Sequence, residues 1–211
     1  MHYSTTTTYT DRASKALYIA DKYAPILRTS VLDVGCDQKQ LAAALPSGAR
    51  AVGVDLGPPA DVCINLDKEK LPFGPRSFET VVCCDVLEHL EQIHSVFDQL
   101  CTIAGERVIL SLPNPARIFI FSLVEGKQGK QKYYGLPLDP PPDRHRWFFD
   151  AEEAREFVRA RAARNGFEVE QMDHEDSWVS TVVSSKGVNL TDHPALKDGT
   201  LWAVLKRGSG S

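Results

Sequence analysis

Apolar and polar positions alternate along the chain with more than one period. From Asp11 to about Ala24 the period is helical. Ala16, Ile19, Ala20 and Tyr23 share a face, Asp11 stands where an N-cap would, and Pro25 ends the pattern. Short, mostly apolar runs then follow at 31–35, 51–55, 61–66, 79–85 and 107–112, each closed by Gly, Pro or Asp. Gln40 to Leu45 reads as a helical turn or two ended by Pro46 and Gly48. Leu87 to Ala104 reads as a longer helix with Leu87, Leu90, Ile93, Val96, Phe97 and Leu100 on one side. Strands apolar on both faces, separated by helices, predict a parallel sheet covered on both sides. Right-handed crossovers wind it into an α/β, doubly wound, three-layer fold. A helix from Asp150 to about Asn165, stopped by Gly166, and strands at 167–172 and 201–205 complete a mostly parallel, seven-stranded sheet.

The rhythm fails between residues 115 and 148. An apolar patch, Ile118-Phe119-Ile120-Phe121, precedes a Gly/Lys stretch and four prolines, Pro137, Pro140, Pro141 and Pro142. A long irregular stretch inside a compact domain is usually functional or disordered. The predicted organisation is an arm and helix at 1–29, a main domain at 30–207 carrying this insert, and a tail or tag scar at 208–211.

With 211 residues the chain can bury one core without metals or disulfides. Its net charge of −4 argues against duplex nucleic acid as partner, since phosphate neutralisation needs clustered Lys and Arg. Lys127, Lys130 and Lys132 are the nearest approach to a basic cluster and read as a solvated loop. The odd set Cys36, Cys63, Cys83, Cys84 and Cys101 lacks a Cys-x-x-Cys pair and sits mostly in apolar runs, so buried thiols in a reducing, cytoplasmic setting are expected. The histidines show no metal-ligand spacing, so no metal is expected. No apolar run approaches the ~20 residues that span a bilayer, and no signal-peptide pattern opens the chain, so no membrane partner is expected.

In an open parallel sheet, ligands bind beyond the carboxyl ends of the strands. Those ends carry Asp33 to Asp37, Asp55, Asp67, Cys84 to Glu88, and Ser111 to Asn114. Gly35 suits a turn that must pass close to a ligand. Asp55, about twenty residues on, can accept hydrogen bonds from both ribose hydroxyls of a nucleoside, or can merely end a strand.

Val31-Leu32-Asp33-Val34-Gly35-Cys36 resembles the first motif of class I S-adenosylmethionine-dependent methyltransferases. Val52-Gly53-Val54-Asp55 resembles their second. Asp67-Lys68-Glu69-Lys70-Leu71-Pro72-Phe73 with Ser77-Phe78-Glu79 resembles the adenine-side segment, and Asp85-Val86-Leu87-Glu88-His89-Leu90 the post-strand motif. His145-Arg146-Trp147-Phe148-Phe149 is a weaker echo of a segment found in many small-molecule members. The resemblance runs from about residue 30 to 114 and implies a Rossmann-like fold. It also implies S-adenosylmethionine as cofactor and S-adenosylhomocysteine as product. Asp33 and Gly35 would line the methionine side, with Cys36 in the same turn. Asp55 would hold the ribose and Asp67 the adenine amino group, with Leu56 and Leu66 beside the ring. Cys84 and Asp85 would offer backbone near the sulfonium.

The chain departs from the family where Asp37-Gln38-Lys39-Gln40-Leu41 replaces the two later glycines of the first motif. Lys39 could pair with the cofactor's carboxylate, or the pocket could be degraded. For a hydroxyl acceptor, His145, His89 and Asp143 are the candidate bases, with Glu88 read as a helix-terminal charge. The Ile118–Phe121 patch either lines an acceptor pocket or packs an insert helix. The expected function is methyl transfer to a small-molecule hydroxyl, of a sugar or another metabolite, by a monomer or homodimer. The alternatives are a non-catalytic methyltransferase-like binding module and a nicotinamide-dependent oxidoreductase. The last lacks the Gly-x-Gly-x-x-Gly fingerprint after its first strand.

Overall fold

The computed structural model describes residues 2–124, 126, 133–141, 143–175 and 193–209. Lys127, Lys130, Lys132 and Pro142 lie outside them, as do residues 176–192 between the last two strands. The strands are β1 (Ser30–Val34), β2 (Arg50–Asp55), β3 (Val62–Cys63), β4 (Phe78–Cys84), β5 (Ala104–Leu112), β6 (Phe167–Glu175) and β7 (Thr200–Arg207). The helices are α1 (Arg12–Lys22), α2 (Gln40–Ala44), α3 (Ile93–Ile103), α4 (Pro115–Val124) and α5 (Ala151–Arg164).

Among the described residues these strands form one sheet in the order β3-β2-β1-β4-β5-β7-β6. The pairs among β1 to β5 are parallel, and β7 runs antiparallel to both β5 and β6. The chain winds outward from β1 to β3, then returns to β4 and winds the other way. The crevice where the order reverses therefore opens between the carboxyl ends of β1 and β4. That is the mostly parallel, doubly wound Rossmann-like sheet the sequence pattern predicts.

Alternation along the strands divides the core between two faces. Leu32, Val34, Val81, Cys83 and Leu110 pack with Val96, Phe97 and Leu100 of α3 and Val158 of α5. Val31, Val82, Ile109 and Val204 pack with Ala16, Ile19 and Ala20 of α1. Trp202 of β7 is fully buried on that face, with Tyr18 at 5.0 Å and Tyr9 and Tyr23 each at 6.1 Å between ring centroids. Asp11 starts α1 with a capping box to Ser14, and Asp150 starts α5 with one to Glu153, each satisfying helix N–H groups that would otherwise lack partners. No helix among the described residues is long and apolar enough to cross a membrane.

Three places depart from the pattern: β3 is only Val62–Cys63 where the sequence predicts 61–66, α4 fills the start of the stretch expected to be irregular, and the helix after β4 is broken. The helix expected over Leu87–Ala104 is a single 3-10 turn at Leu87–His89, an extended Leu90, and then α3. Its carbonyls are claimed from elsewhere. Arg146 N–H donates to Glu88 O at 2.8 Å and the Trp147 indole N–H to Leu90 O at 2.7 Å. Asp67 Oδ1 accepts the Gln92 N–H at 3.0 Å. The insert is thereby tied to the turn that carries Glu88 and His89.

Candidate active site

A cleft of about 770 Å³ lies at the carboxyl edge of the sheet, over the switch point. Such a volume lies within the range of about 300–1,000 Å³ that takes a small ligand whole. Of the expected cofactor residues, Asp33, Gly35, Cys36, Asp55, Leu56, Leu66, Asp67, Cys84 and Asp85 line it. Asp33 is 8% exposed, and burial together with the charge of Asp55 pushes its carboxyl up to about 7. Asp55 ties down the turn after β1: its Oδ2 accepts the Asp37 N–H at 2.8 Å and its Oδ1 the Leu56 N–H at 2.7 Å. A carboxylate has about four lone-pair sites, so these bonds leave acceptor capacity on both oxygens. Leu56 is 74% exposed at the mouth of the cleft.

The turn itself keeps the backbone that glycines would give. Gly35 has φ +84°, and a Cβ there would sit 2.2 Å from Val86 Cγ2. Asp37 and Lys39, at the substituted positions, have φ 46° and 59°, the left-handed region. Gly53 is required by close approach, since a Cβ would sit 2.7 Å from Cys36 Sγ. Burial pushes the Cys36 and Cys84 thiols up to about 12, so neither is a nucleophile at neutral pH.

Lys39 does not face the cofactor's expected place. Its Nζ lies 2.6 Å from Asp61 Oδ1, and it is absent from the cleft lining. A long side chain leaving an αL residue points where the neighbouring chain directs it, and Asp61, anchored by the Gly53 N–H at 2.8 Å, draws it behind the turn. Two cations of α1 enter the cleft instead. Arg12 pairs with Asp37 at 2.8 Å, and Asp37 is held below the usual carboxylate range: hydrogen bonds from Arg12 and Gln40 outweigh its burial. Lys15 pairs with Asp85, which also accepts from Ser111 Oγ at 2.7 Å. Burial alone would raise Asp85; the charge and hydrogen bond of Lys15 bring it below the ordinary range. Nothing in the spacing of Arg12 and Lys15 announces this role, which comes from α1 packing across the sheet.

The three candidate bases meet on the opposite wall. His89 Nδ1 lies 2.7 Å from Asp143 Oδ1 and 3.2 Å from the Arg144 carbonyl. His145 stands perpendicular to His89 at 4.7 Å between centroids, stacks on Tyr133 at 4.2 Å, and shares a hydrogen bond through Nδ1 with the Tyr134 hydroxyl. Glu88, read from sequence as a helix-terminal charge, is instead 1% exposed, and burial then the charge of Asp85 push its carboxyl well above its ordinary value. One ligating atom each from Glu88, His89 and His145 lies within 4.8 Å of the others, although their spacing along the chain suggests no such cluster. His94 is exposed, its ring edge-on to Trp147 and Phe157. The Ile118–Phe121 patch forms part of α4: Phe121 is buried in the core and Ile118 reaches the cleft.

Comparison with known proteins agrees with this architecture. Curated protein sequences give no match. A S-adenosylmethionine-dependent methyltransferase from Archaeoglobus fulgidus superposes with a TM-score of 0.60 at 13% identity, covering 93% of this chain and 95% of that one. Magnesium protoporphyrin IX methyltransferase from Synechocystis PCC 6803, with bound S-adenosylhomocysteine, gives 0.56 at 16% identity, covering 93% and 81%. The [4+2]-cyclase SpnF gives 0.59 at 12% identity, covering 99% and 86%. Identities this low speak for the fold alone. The sequence itself matches the family described as a methyltransferase domain over residues 10–172, most of its length. With the motifs of that family standing at the strand ends and around one cleft, the chain belongs to the methyltransferase-domain family, in its class I, S-adenosylmethionine-dependent branch.

Proposed function

We propose that this chain transfers a methyl group from S-adenosylmethionine to a hydroxyl of a small-molecule acceptor, a sugar or similar metabolite. The observation that carries this is one cleft with two walls: buried and strand-end acids on one side, a histidine–carboxylate cluster on the other. The donor set fits an adenosyl cofactor bearing an ammonium. Both influences on Asp33 raise its carboxyl, so a positive group beside it would relieve a buried charge. The positive-φ turn at Gly35 gives the backbone close access to a ligand.

In this reading Asp33, Gly35 and Cys36 hold the methionine end, with Arg12 rather than Lys39 as the cation for its carboxylate. Asp55 holds the ribose. Asp67 takes the adenine amino group between Leu56 and Leu66, and the backbone of Cys84 and Asp85 borders the reacting centre. When bound, the cofactor would supply an activated methyl, whose bonding pair to sulfur would stay with sulfur as the acceptor oxygen took the carbon and gave up its proton. The protein aligns the two, an effect that contributes roughly 7–11 kcal/mol when geometry is held. The cluster of His89, His145 and Asp143 receives the hydroxyl and its proton. The [4+2]-cyclase on this fold means the fold does not choose the reaction; the histidine–carboxylate wall favours proton removal over a passive binding module. The acidic net charge and the five free thiols support a small-molecule partner and a reducing, cytoplasmic setting, with a monomer or homodimer as the unit.

Calorimetric titration with S-adenosylhomocysteine tests the reading. Wild type should bind, Asp55→Ala and Arg12→Ala should lose affinity about tenfold or more, and Lys39→Ala should not. Ligand at ~100 times its dissociation constant should raise stability by about 2.7 kcal/mol. No binding at millimolar ligand would overturn the proposal, and equal binding by wild type and Asp55→Ala would remove Asp55 from the site.

A further inference from the structure

We infer that Glu88, His89 and His145 form a binding site for one divalent first-row transition cation, which presents open coordination positions to the acceptor side of the cleft. Ligating atoms from the three residues lie within 4.8 Å of one another, and all three residues line the cleft. Glu88 is 1% exposed, and its Oε2 has no hydrogen-bond partner among the described residues. Burying a carboxylate oxygen without a partner is costly, and a cation repays that cost where a hydrogen bond does not.

The tautomer of His89 is set by its surroundings. Its Nδ1 faces two acceptors, Asp143 Oδ1 at 2.7 Å and the Arg144 carbonyl at 3.2 Å. Nδ1 therefore carries the proton, and in the neutral ring Nε2 offers its lone pair. That Nε2 lies 3.7 Å from Glu88 Oε1. This is too long for a hydrogen bond, whose range ends at about 3.2 Å. It is close to the roughly 3–3.4 Å that separates two ligands each ~2.1 Å from one ion. A carboxylate on the distal nitrogen of a ligating histidine is the usual outer support of a metal site, and Asp143 stands there. The Tyr134 hydroxyl holds the His145 ring through Nδ1. Asp143 adds negative charge beside His89, while Lys15 and Asp85 offset one another in their ion pair, so the near surroundings do not oppose a cation. Two imidazoles and one carboxylate favour Mn²⁺, Co²⁺ or Zn²⁺ over Mg²⁺ or Ca²⁺.

The role deepens the methyl-transfer reading and rests on it: a cation here would hold the acceptor's oxygen and ease loss of its proton to water, replacing direct proton acceptance by His89 and His145, as a metal lowers the pKa of bound water from 15.7 to about 7. The existence of the site does not rest on that reading. Metal-stripped protein, with no adenosyl ligand present, is titrated with MnCl₂ followed by electron paramagnetic resonance, and with CoCl₂ followed by its visible bands. The expected result is one ion per chain, bound at least tenfold more tightly than Mg²⁺. Glu88→Gln and His145→Ala should each abolish binding or weaken it more than tenfold. Asp143→Asn should weaken it by about 10–100-fold, and His94→Gln should leave it unchanged. Glu88→Gln is the safeguard against misfolding, since it removes a buried charge at constant shape, and thermal unfolding checks each variant. No ion bound at millimolar Mn²⁺ or Co²⁺, or equal affinity in wild type and Glu88→Gln, would overturn the inference. Metal binding without S-adenosylhomocysteine binding would sink only the methyl-transfer reading.

Discussion

Replacing Asp33 by Asn should stabilise the ligand-free protein, and more so as the pH rises. Asp33 closes on the cleft at 8% exposure, and burial plus the charge of Asp55 raise its carboxyl from 3.8 to about 7. A folded-state value above the unfolded one means the folded chain holds the proton more tightly. Stability is therefore fully present below about pH 4 and declines as the pH climbs through about 7. At about 1.36 kcal/mol per pH unit, the span corresponds to a ceiling of about 4 kcal/mol once Asp33 is ionised. Asn keeps the shape and removes the charge, but its amide brings donors of its own, and imperfect pairing of one group costs about 1–3 kcal/mol. The expected net gain is ~1–3 kcal/mol at pH 8, shrinking toward zero or below at pH 4.5. Urea unfolding of both proteins at pH 4.5, 6 and 8, followed by tryptophan fluorescence, measures it. Subtracting one protein from the other cancels the titrating groups that do not interact with Asp33. A difference that stays constant across that range would refute the reasoning, because no charge would then be buried at Asp33. The same variant should bind S-adenosylhomocysteine about tenfold more weakly, separating a residue kept for a ligand from one kept for the fold.

Other substitutions probe the turn and the insert. Lys39→Gly should leave the urea midpoint unchanged or higher. It relieves a left-handed residue worth about 1–2 kcal/mol, against a part-exposed ion pair worth about 0–1 kcal/mol and about 0.5–1 kcal/mol of added chain entropy; a loss well above 1 kcal/mol would contradict this. Gly35→Ala should cost about 2 kcal/mol or more, from its φ of +84° and the 2.2 Å approach to Val86 Cγ2. Adding Val86→Ala should recover only the steric part, which paired unfolding curves would resolve. Trp147→Phe deletes the indole bond to Leu90 O, about 1 kcal/mol. Hydrogen exchange should then quicken at the Arg146 amide while that of β4 is unchanged, and equal protection in both proteins would show that the insert is held by other contacts.

The strands and α1 are legible because what defines them is local. Val31–Val34, save for Asp33, and Val81–Cys83 are apolar because both faces of the sheet are covered, and Asp11 and Pro25 mark α1 by capping and by a missing N–H. The Leu87–Ala104 segment shows the limit. Leu87, Leu90 and Ile93 keep helical spacing, so the period alone predicts one helix. The break after His89 is made by Trp147, Arg146 and Asp67, which take or supply backbone hydrogen bonds from far along the chain. No window of sequence contains both sides of that competition.

The same distinction separates the two walls of the cleft. Asp33, Gly35, Asp55 and Cys84 can be placed from sequence because each ends a strand, and parallel topology sends all those ends to one edge. His89 and His145 show no ligand spacing because they are not neighbours on any element; the insert folds back and lays Asp143, Arg144 and His145 against the turn after β4. Glu88 reads as a helix-terminal charge for the same reason, since the residues tied over it arrive from that insert. Lys39 shows the converse error, a local inference undone by one distant acid, Asp61. On the proposed reading, the cofactor wall is set by the sheet and the acceptor wall by the insert laid against the turn after β4. Substitutions in residues 133–148 should therefore redirect acceptor and metal preference while leaving adenosyl affinity intact, whereas changes at Asp33 or Asp55 should do the reverse.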